Sequence, residues 1–178
     1  MCGISGAAGN LFSKDLDVFK TLLFLGQLRG IHSTGILSLN KGKKASYFRT
    51  LKDTCSAQEL LDFKKSDTII STSSKIILGH NRSATIGDVI KENAHPFEVN
   101  GVFAGLHNGT VYNSHSLDGY KEYETDSEVC LYNIYKPGPT IIKKFSGAYA
   151  FVWIDIESET INFIRNKEYD IPPPPPLI

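Results

Sequence analysis

Apolar positions along the chain recur with two different periods. Val18, Phe19, Leu22, Leu23, Leu25 and Leu28 follow helical spacing up to Gly30 and predict an early helix. Residues 2–8, small and punctuated by glycine, suit a buried strand. Short apolar runs predict further strands at 34–40, 44–50, 75–81, 101–107, 147–155 and 160–165, with a weaker helix at 56–64. Asp126 stands at the N-cap or in the first turn of a helix through Tyr135, stopped by Pro137-Gly138-Pro139. Many strands and few helices, out of strict βαβ order, predict layered antiparallel sheets covered by helices. No internal repeat is visible, and the one low-complexity segment is the proline run at 172–176. Such a run forms a polyproline II rod of roughly 15 Å. It reads first as a solvated tail and second as a ligand for a partner's aromatic groove.

Composition narrows the class. A chain of 178 residues fits one domain and buries roughly 70% of the surface its unfolded form exposes. With 41% hydrophobic and 21% charged residues it has an ordinary globular composition. Its 19 basic and 19 acidic side chains cancel, which supports neither nucleic-acid nor membrane-surface binding. The cysteines are Cys2, Cys55 and Cys130, an odd count without a CxxC pair. That argues against a disulfide framework and a thiolate zinc site, and for a reducing, cytoplasmic compartment. The apolar stretch at 21–26 is too short to span a membrane. Met1-Cys2-Gly3-Ile4-Ser5-Gly6 has no basic region of a signal peptide, so the mature chain is expected to begin at or next to Met1.

The position of Cys2 carries chemistry. If Met1 is removed, thiol and free α-amine belong to one residue. Their unperturbed pKa values, about 8.5 and about 7.7–8.0, let the amine take the thiol proton near neutral pH. Taken alone, Met-Cys fits a small buried strand residue better. Asn108-Gly109 alone reads as a hairpin turn, Arg82 as a surface strand residue and Asp126 as a helix cap. His80, His95 and His107 read as structural histidines, and the five scattered histidines lack metal-ligand spacing.

Taken together, the segments change those readings. In order come Cys2-Gly3-Ile4-Ser5-Gly6, Arg29-Gly30-Ile31-His32-Ser33-Thr34-Gly35, Gly79-His80-Asn81-Arg82-Ser83-Ala84-Thr85-Ile86-Gly87, Asn93-Ala94-His95-Pro96-Phe97, His107-Asn108-Gly109 and Glu124-Thr125-Asp126-Ser127-Glu128-Val129. A late Ser146-Gly147-Ala148-Tyr149-Ala150 completes the set. In this order and spacing the chain resembles the class II glutamine amidotransferases over residues 2 to about 165.

The resemblance implies an α+β, four-layer αββα sandwich of the N-terminal-nucleophile hydrolase type. It implies Cys2 as nucleophile, with the Asn108 side-chain amide and the Gly109 backbone N–H as oxyanion donors. Arg82 would hold the α-carboxylate of glutamine and Asp126 its α-ammonium, with Thr85 lining the pocket. Arg29 and His95 would shape the loops around it. No metal or organic cofactor is implied. The product ammonia would pass to a separate acceptor synthase or synthetase subunit, since the chain has no room for an acceptor domain. Residues 1–168 form the expected glutamine amidotransferase type 2 domain and 169–178 a proline-rich tail. Ser83, Ile86 and His32 stand where relatives often carry an aromatic residue, a histidine and an aspartate, which bears on pocket shape and acceptor coupling. Further strands expected after Lys167 are missing, leaving one sandwich edge trimmed or closed by a partner. Two other readings stay open: a different N-terminal-cysteine amidase, and an idle regulatory subunit that keeps the fold.

Overall fold

A computed structural model describes residues 2–166. Met1 and the proline-rich tail, with the expectations placed on them, lie outside the described residues. The first part of the chain runs β1 (Gly3–Ala8), α1 (Ser13–Gly26), β2 (Ser33–Lys41), β3 (Ser46–Asp53), α2 (Ala57–Asp62), α3 (Lys64–Ile69) and β4 (Ser74–Arg82). The second runs β5 (Phe97–Val99), β6 (Phe103–Val111), α4 (Asp126–Tyr135), β7 (Gly147–Asp155) and β8 (Thr160–Arg165), with short 3-10 helices around α4. Each part supplies one four-stranded sheet, ordered β1-β4-β2-β3 and β5-β6-β7-β8, and every neighbouring pair is antiparallel. The molecule is therefore α+β, with two antiparallel sheets and few helices.

Strand alternation puts alternate residues on opposite faces and divides the interior into three cores. Leu37, Leu78, Leu106 and Val152 fill the space between the two sheets. On the outer face of the first sheet, Ile36 and Ile77 meet Phe19 and Leu23 of α1, Leu60 of α2 and Ile69 of α3. Outside the second sheet, Phe103, Phe151 and Trp153 pack against Val129, Leu131 and Ile134 of α4. Burying a large aliphatic or aromatic side chain stabilises by about 1.5–3 kcal/mol, so these three layers hold the sheets and helices in register.

Several elements depart from the sequence expectation for physical reasons. The α1 helix ends at Gly26, four residues before Gly30. Of its six signal residues only Phe19 and Leu23 are buried, while Val18, Leu22, Leu25 and Leu28 are exposed. The helix expected at 56–64 is two short helices, because Phe63 takes an extended conformation (φ −70°, ψ 124°) between them. Ser56 starts the first through a capping box: its Oγ accepts from Glu59 N at 3.2 Å, and the Glu59 carboxylate accepts from Ser56 N at 2.8 Å. The three-residue β5 is too short to leave a period-two pattern. β6 runs beyond 107 through His107-Asn108-Gly109 to Val111, so this motif is strand, paired with Phe151, Ala150 and Tyr149, and not a turn. Thr125 is the cap of α4, accepting from Glu128 N at 3.2 Å, and Asp126 falls in the first turn.

Candidate active site

The residues singled out in the sequence meet where β1 begins and β4 and β6 end. The Cys2 backbone N–H donates to Asn108 Oδ1 at 2.9 Å, joining the start of one sheet to the end of a strand in the other. Alternation along β6 sends Leu106, Asn108 and Thr110 to the face that meets the first sheet. Because Asn108 spends its oxygen on Cys2, its Nδ2 points elsewhere and has no hydrogen-bond partner among the described residues. Gly109 follows at φ 135°, a conformation that a side chain would strain, and a Cβ there would meet the Ala148 carbonyl.

The thiol lies against the end of β4. Ser83 N donates to Cys2 Sγ at 3.3 Å, and the Ser83 carbonyl lies 3.6 Å from the same sulfur. Burial pushes the Cys2 thiol above its ordinary pKa, and the Ser83 N–H works in the opposite direction. The resting group is thus a thiol that needs a base before it can attack. Arg29 Nε donates to the Cys2 carbonyl at 2.9 Å, so an arginine expected only to shape a loop anchors the cysteine directly. His32 Nδ1 accepts from Ala84 N at 2.9 Å, which ties the segment before β2 to the loop after β4.

Arg82 and Asp126 are both nearly buried. The Arg82 guanidinium donates to the carbonyls of Asp88 (2.9 Å), Ile86 (2.7 Å) and Gly87 (3.3 Å), so the following loop curls around it. A guanidinium has five donors, which leaves part of its fork for another acceptor. Asp126 Oδ2 accepts from Val111 N at 2.8 Å, tying the first turn of α4 to the end of β6. Burial raises the Asp126 pKa, while the N–H groups of Val111 and Ser127 and the Arg82 charge lower it. Thr85 Oγ1 lies 3.2 Å from Thr110 Oγ1, next to Gly109.

Behind this site the three expected structural histidines form one buried group. His80 Nε2 meets the His107 carbonyl at 2.9 Å, and His107 Nδ1 meets Ser127 Oγ at 2.8 Å. The His95 ring lies 4.0 Å from that of His80. Burial lowers the pKa of His80 to about 4 and of His107 to about 3, and holds His95 well below its ordinary value. All three are neutral, and His80 braces the backbone immediately before Asn108. Among the described residues no group of histidine, cysteine and carboxylate side chains is arranged to hold a metal ion.

Sequence reasoning brought Cys2, Asn108, Gly109, Arg82, Thr85 and Asp126 into one place. It missed the Ser83 N–H on the sulfur, because a backbone donor leaves no trace in residue identity. It also missed Thr110 and Ser127, whose contacts with Thr85 and His107 join residues far apart in the chain.

Cys2, Asn108, Arg82 and Asp126, drawn from both halves of the α+β chain, lie together at the start of β1, the ends of β4 and β6 and the first turn of α4. The chain belongs to the glutamine amidotransferase domain family, whose match covers residues 34–172, and it is a class II glutamine amidotransferase domain. It is 32% identical over 188 residues to the glutamine–fructose-6-phosphate aminotransferase (isomerizing) of Streptococcus pyogenes, covering 94% of this chain and 29% of that protein. The aminotransferase of the same name from Neisseria meningitidis is 32% identical over 175 residues, covering 86% of this chain and 27% of that protein. That of Sulfolobus acidocaldarius is 30% identical over 184 residues, covering 93% and 30%. The chain thus spans about three tenths of the length of the curated relatives it matches.

Proposed function

We propose that this domain hydrolyses the side-chain amide of L-glutamine, with Cys2 as nucleophile after removal of Met1. The observation that carries the reading is the Cys2 backbone nitrogen on Asn108 Oδ1, with the Cys2 sulfur on Ser83 N–H. Once Met1 is gone, that nitrogen is a primary amine held beside its own thiol. It takes the thiol proton, and the thiolate attacks the γ-carbonyl. Asn108 Nδ2 and the Gly109 N–H hold the oxyanion. The amine returns the proton to the departing nitrogen, releasing ammonia, and water then cleaves the γ-glutamyl thioester to glutamate. Every step uses groups of this chain, with no metal or organic cofactor.

Arg82 takes the α-carboxylate with the donors its loop leaves over, and Asp126 takes the α-ammonium. Two buried charges of opposite sign suit a free amino acid better than a conjugated amide, which favours glutamine over other N-terminal-cysteine amidase substrates. Three cores separating two sheets and two sets of helices support the four-layer αββα arrangement of N-terminal-nucleophile hydrolases. We assign residues 1–168 to the domain and 169–178 to a tail. The relatives named above are aminotransferases of fructose-6-phosphate more than three times as long as this domain. By analogy, ammonia released here is used by a synthase or synthetase partner. No described helix is long and apolar enough to cross a membrane.

Glutamate release by the Met1-free protein is the test. Cys2→Ser should retain less than about 10⁻³ of the wild-type rate, since a hydroxyl is far less acidic than a thiol. The inactivator diazo-oxo-norleucine should label Cys2. Cys55, which burial pushes up to about 11, and Cys130, which burial also pushes far up, should stay unlabelled. A Cys2→Ser protein with full turnover would overturn the assignment.

A further inference from the structure

Lys52, near the end of β3, is held in a way that surface lysines are not. It is half-buried, and its Nζ donates to three main-chain carbonyls, those of Glu92 (3.0 Å), Ala94 (2.6 Å) and Pro96 (3.2 Å). The Phe97 ring closes a further side, its centroid 4.8 Å from Nζ. An ammonium has three N–H donors arranged as a pyramid, so this cage uses its full donor set. Gly35 of β2 pairs across the sheet with Lys52 and lets the caged segment lie flat on the sheet, because the His95 carbonyl occupies the place of a Cβ. The neighbouring Lys91–Asp53 pair, 3.6 Å apart with Lys91 exposed, adds little to this hold.

The caged segment leads to the site. Asn93 lies between the gripped carbonyls of Glu92 and Ala94. Its Nδ2 donates to the Asp88 carbonyl at 3.1 Å and to Glu124 Oε2 at 2.9 Å. The Asp88 carbonyl also accepts from Arg82, and Glu124 stands two residues before Asp126. A continuous set of bonds therefore joins Lys52 to the two residues assigned to the charged ends of glutamine. We propose that Lys52 is a positioning residue: its tethered ammonium clamps residues 92–96 and thereby sets the spacing between Arg82 and Asp126. The assignment of a substrate to that spacing rests on the glutaminase reading.

Lys52→Met keeps the aliphatic stem and removes the donors. In the Met1-free protein it should raise KM for glutamine about tenfold and leave kcat within about threefold, because it disturbs binding groups and not the attacking thiol. Lys52→Arg should fail to restore KM, since a planar fork does not fit a three-carbonyl pyramid. Lys52→Ala with added n-propylammonium, which supplies the missing stem and charge, should regain low KM in a glutamate-release assay. Hydrogen exchange over peptides covering residues 84–96 should be faster in Lys52→Met, a readout that needs no activity. If the wild type hydrolyses no glutamine, the functional reading fails while exchange still decides whether the clamp exists. Unchanged exchange in Lys52→Met overturns the clamp. Lower kcat at unchanged KM, or a raised KM in Lys52→Ala that propylammonium leaves as it is, overturns the positioning role. Should Lys52→Met not fold by circular dichroism, Lys52→Gln takes its place in both assays.

Discussion

Cys2 and Asn108 are 106 residues apart in sequence and meet through one hydrogen bond. The two atoms of the Asn108 amide are assigned different work, since the oxygen orients the cysteine nitrogen and the nitrogen serves the oxyanion. Asn108→Ala should therefore lower kcat by roughly 10²–10³-fold with a small effect on KM, because the lost donor acts on charge that exists only in the transition state. Asp126→Ala should act on KM, since the substrate ammonium it is assigned to hold is charged throughout. Steady-state kinetics of the two variants separates these roles, and a pure KM effect at Asn108 would move it to ground-state binding.

Among the elements, β2 shows how a motif glycine acts through tertiary contact. Gly35 belongs to the strand expected at 34–40 and lies within β2. Its bare backbone admits the His95 carbonyl, and with it the loop that carries Asn93 and curls around Arg82. A methyl group at Gly35 would displace main chain and not a flexible side-chain tip. Gly35→Ala should cost about 1–3 kcal/mol by overpacking, seen as a lower Tm, together with a higher KM for glutamine. A variant with wild-type Tm and KM would show that the loop finds another seat.

Across the whole molecule, the three buried histidines set a pH response. His80 and His107 have folded pKa values of about 4 and about 3, below the unfolded value of about 6.5. The unfolded chain thus binds more protons between these limits, so the stabilisation is complete above pH of about 6.5 and is lost as pH falls toward 4. His80 alone accounts for on the order of 3 kcal/mol by pH of about 4. Asp126 and Glu128, whose carboxyls burial pushes up, act with opposite sign, gaining protons in the folded state at the lower end of this range. Between pH of about 6.5 and 5 the histidines should dominate and Tm should fall. Thermal melts across that interval check the expectation; a Tm that is flat or rises there would mean the cluster accepts protons without loss of packing.

Local pattern determined much of this protein by itself. β7 and β8 fall where short apolar runs place them, the Ser56-x-x-Glu59 box starts α2, and the tyrosine-ended helix after Asp126 has its expected length. The six candidate site residues could be singled out because each belongs to a short string whose residue types and order are specific. Only the tertiary structure decided which face of α1 is buried, because its apolar residues surround the helix and just Phe19 and Leu23 are fully buried. It alone made His107-Asn108-Gly109 a strand, since pairing with β7 outweighs the turn preference of Asn-Gly. It also decided the role of Lys52: a lysine on an edge strand reads as solvated until three carbonyls, 40 to 44 residues further along the chain, close around it. Hydrophobic period and capping are encoded within a few residues, whereas contacts made by backbone carbonyls and N–H groups carry no residue identity and exist only once the chain has folded.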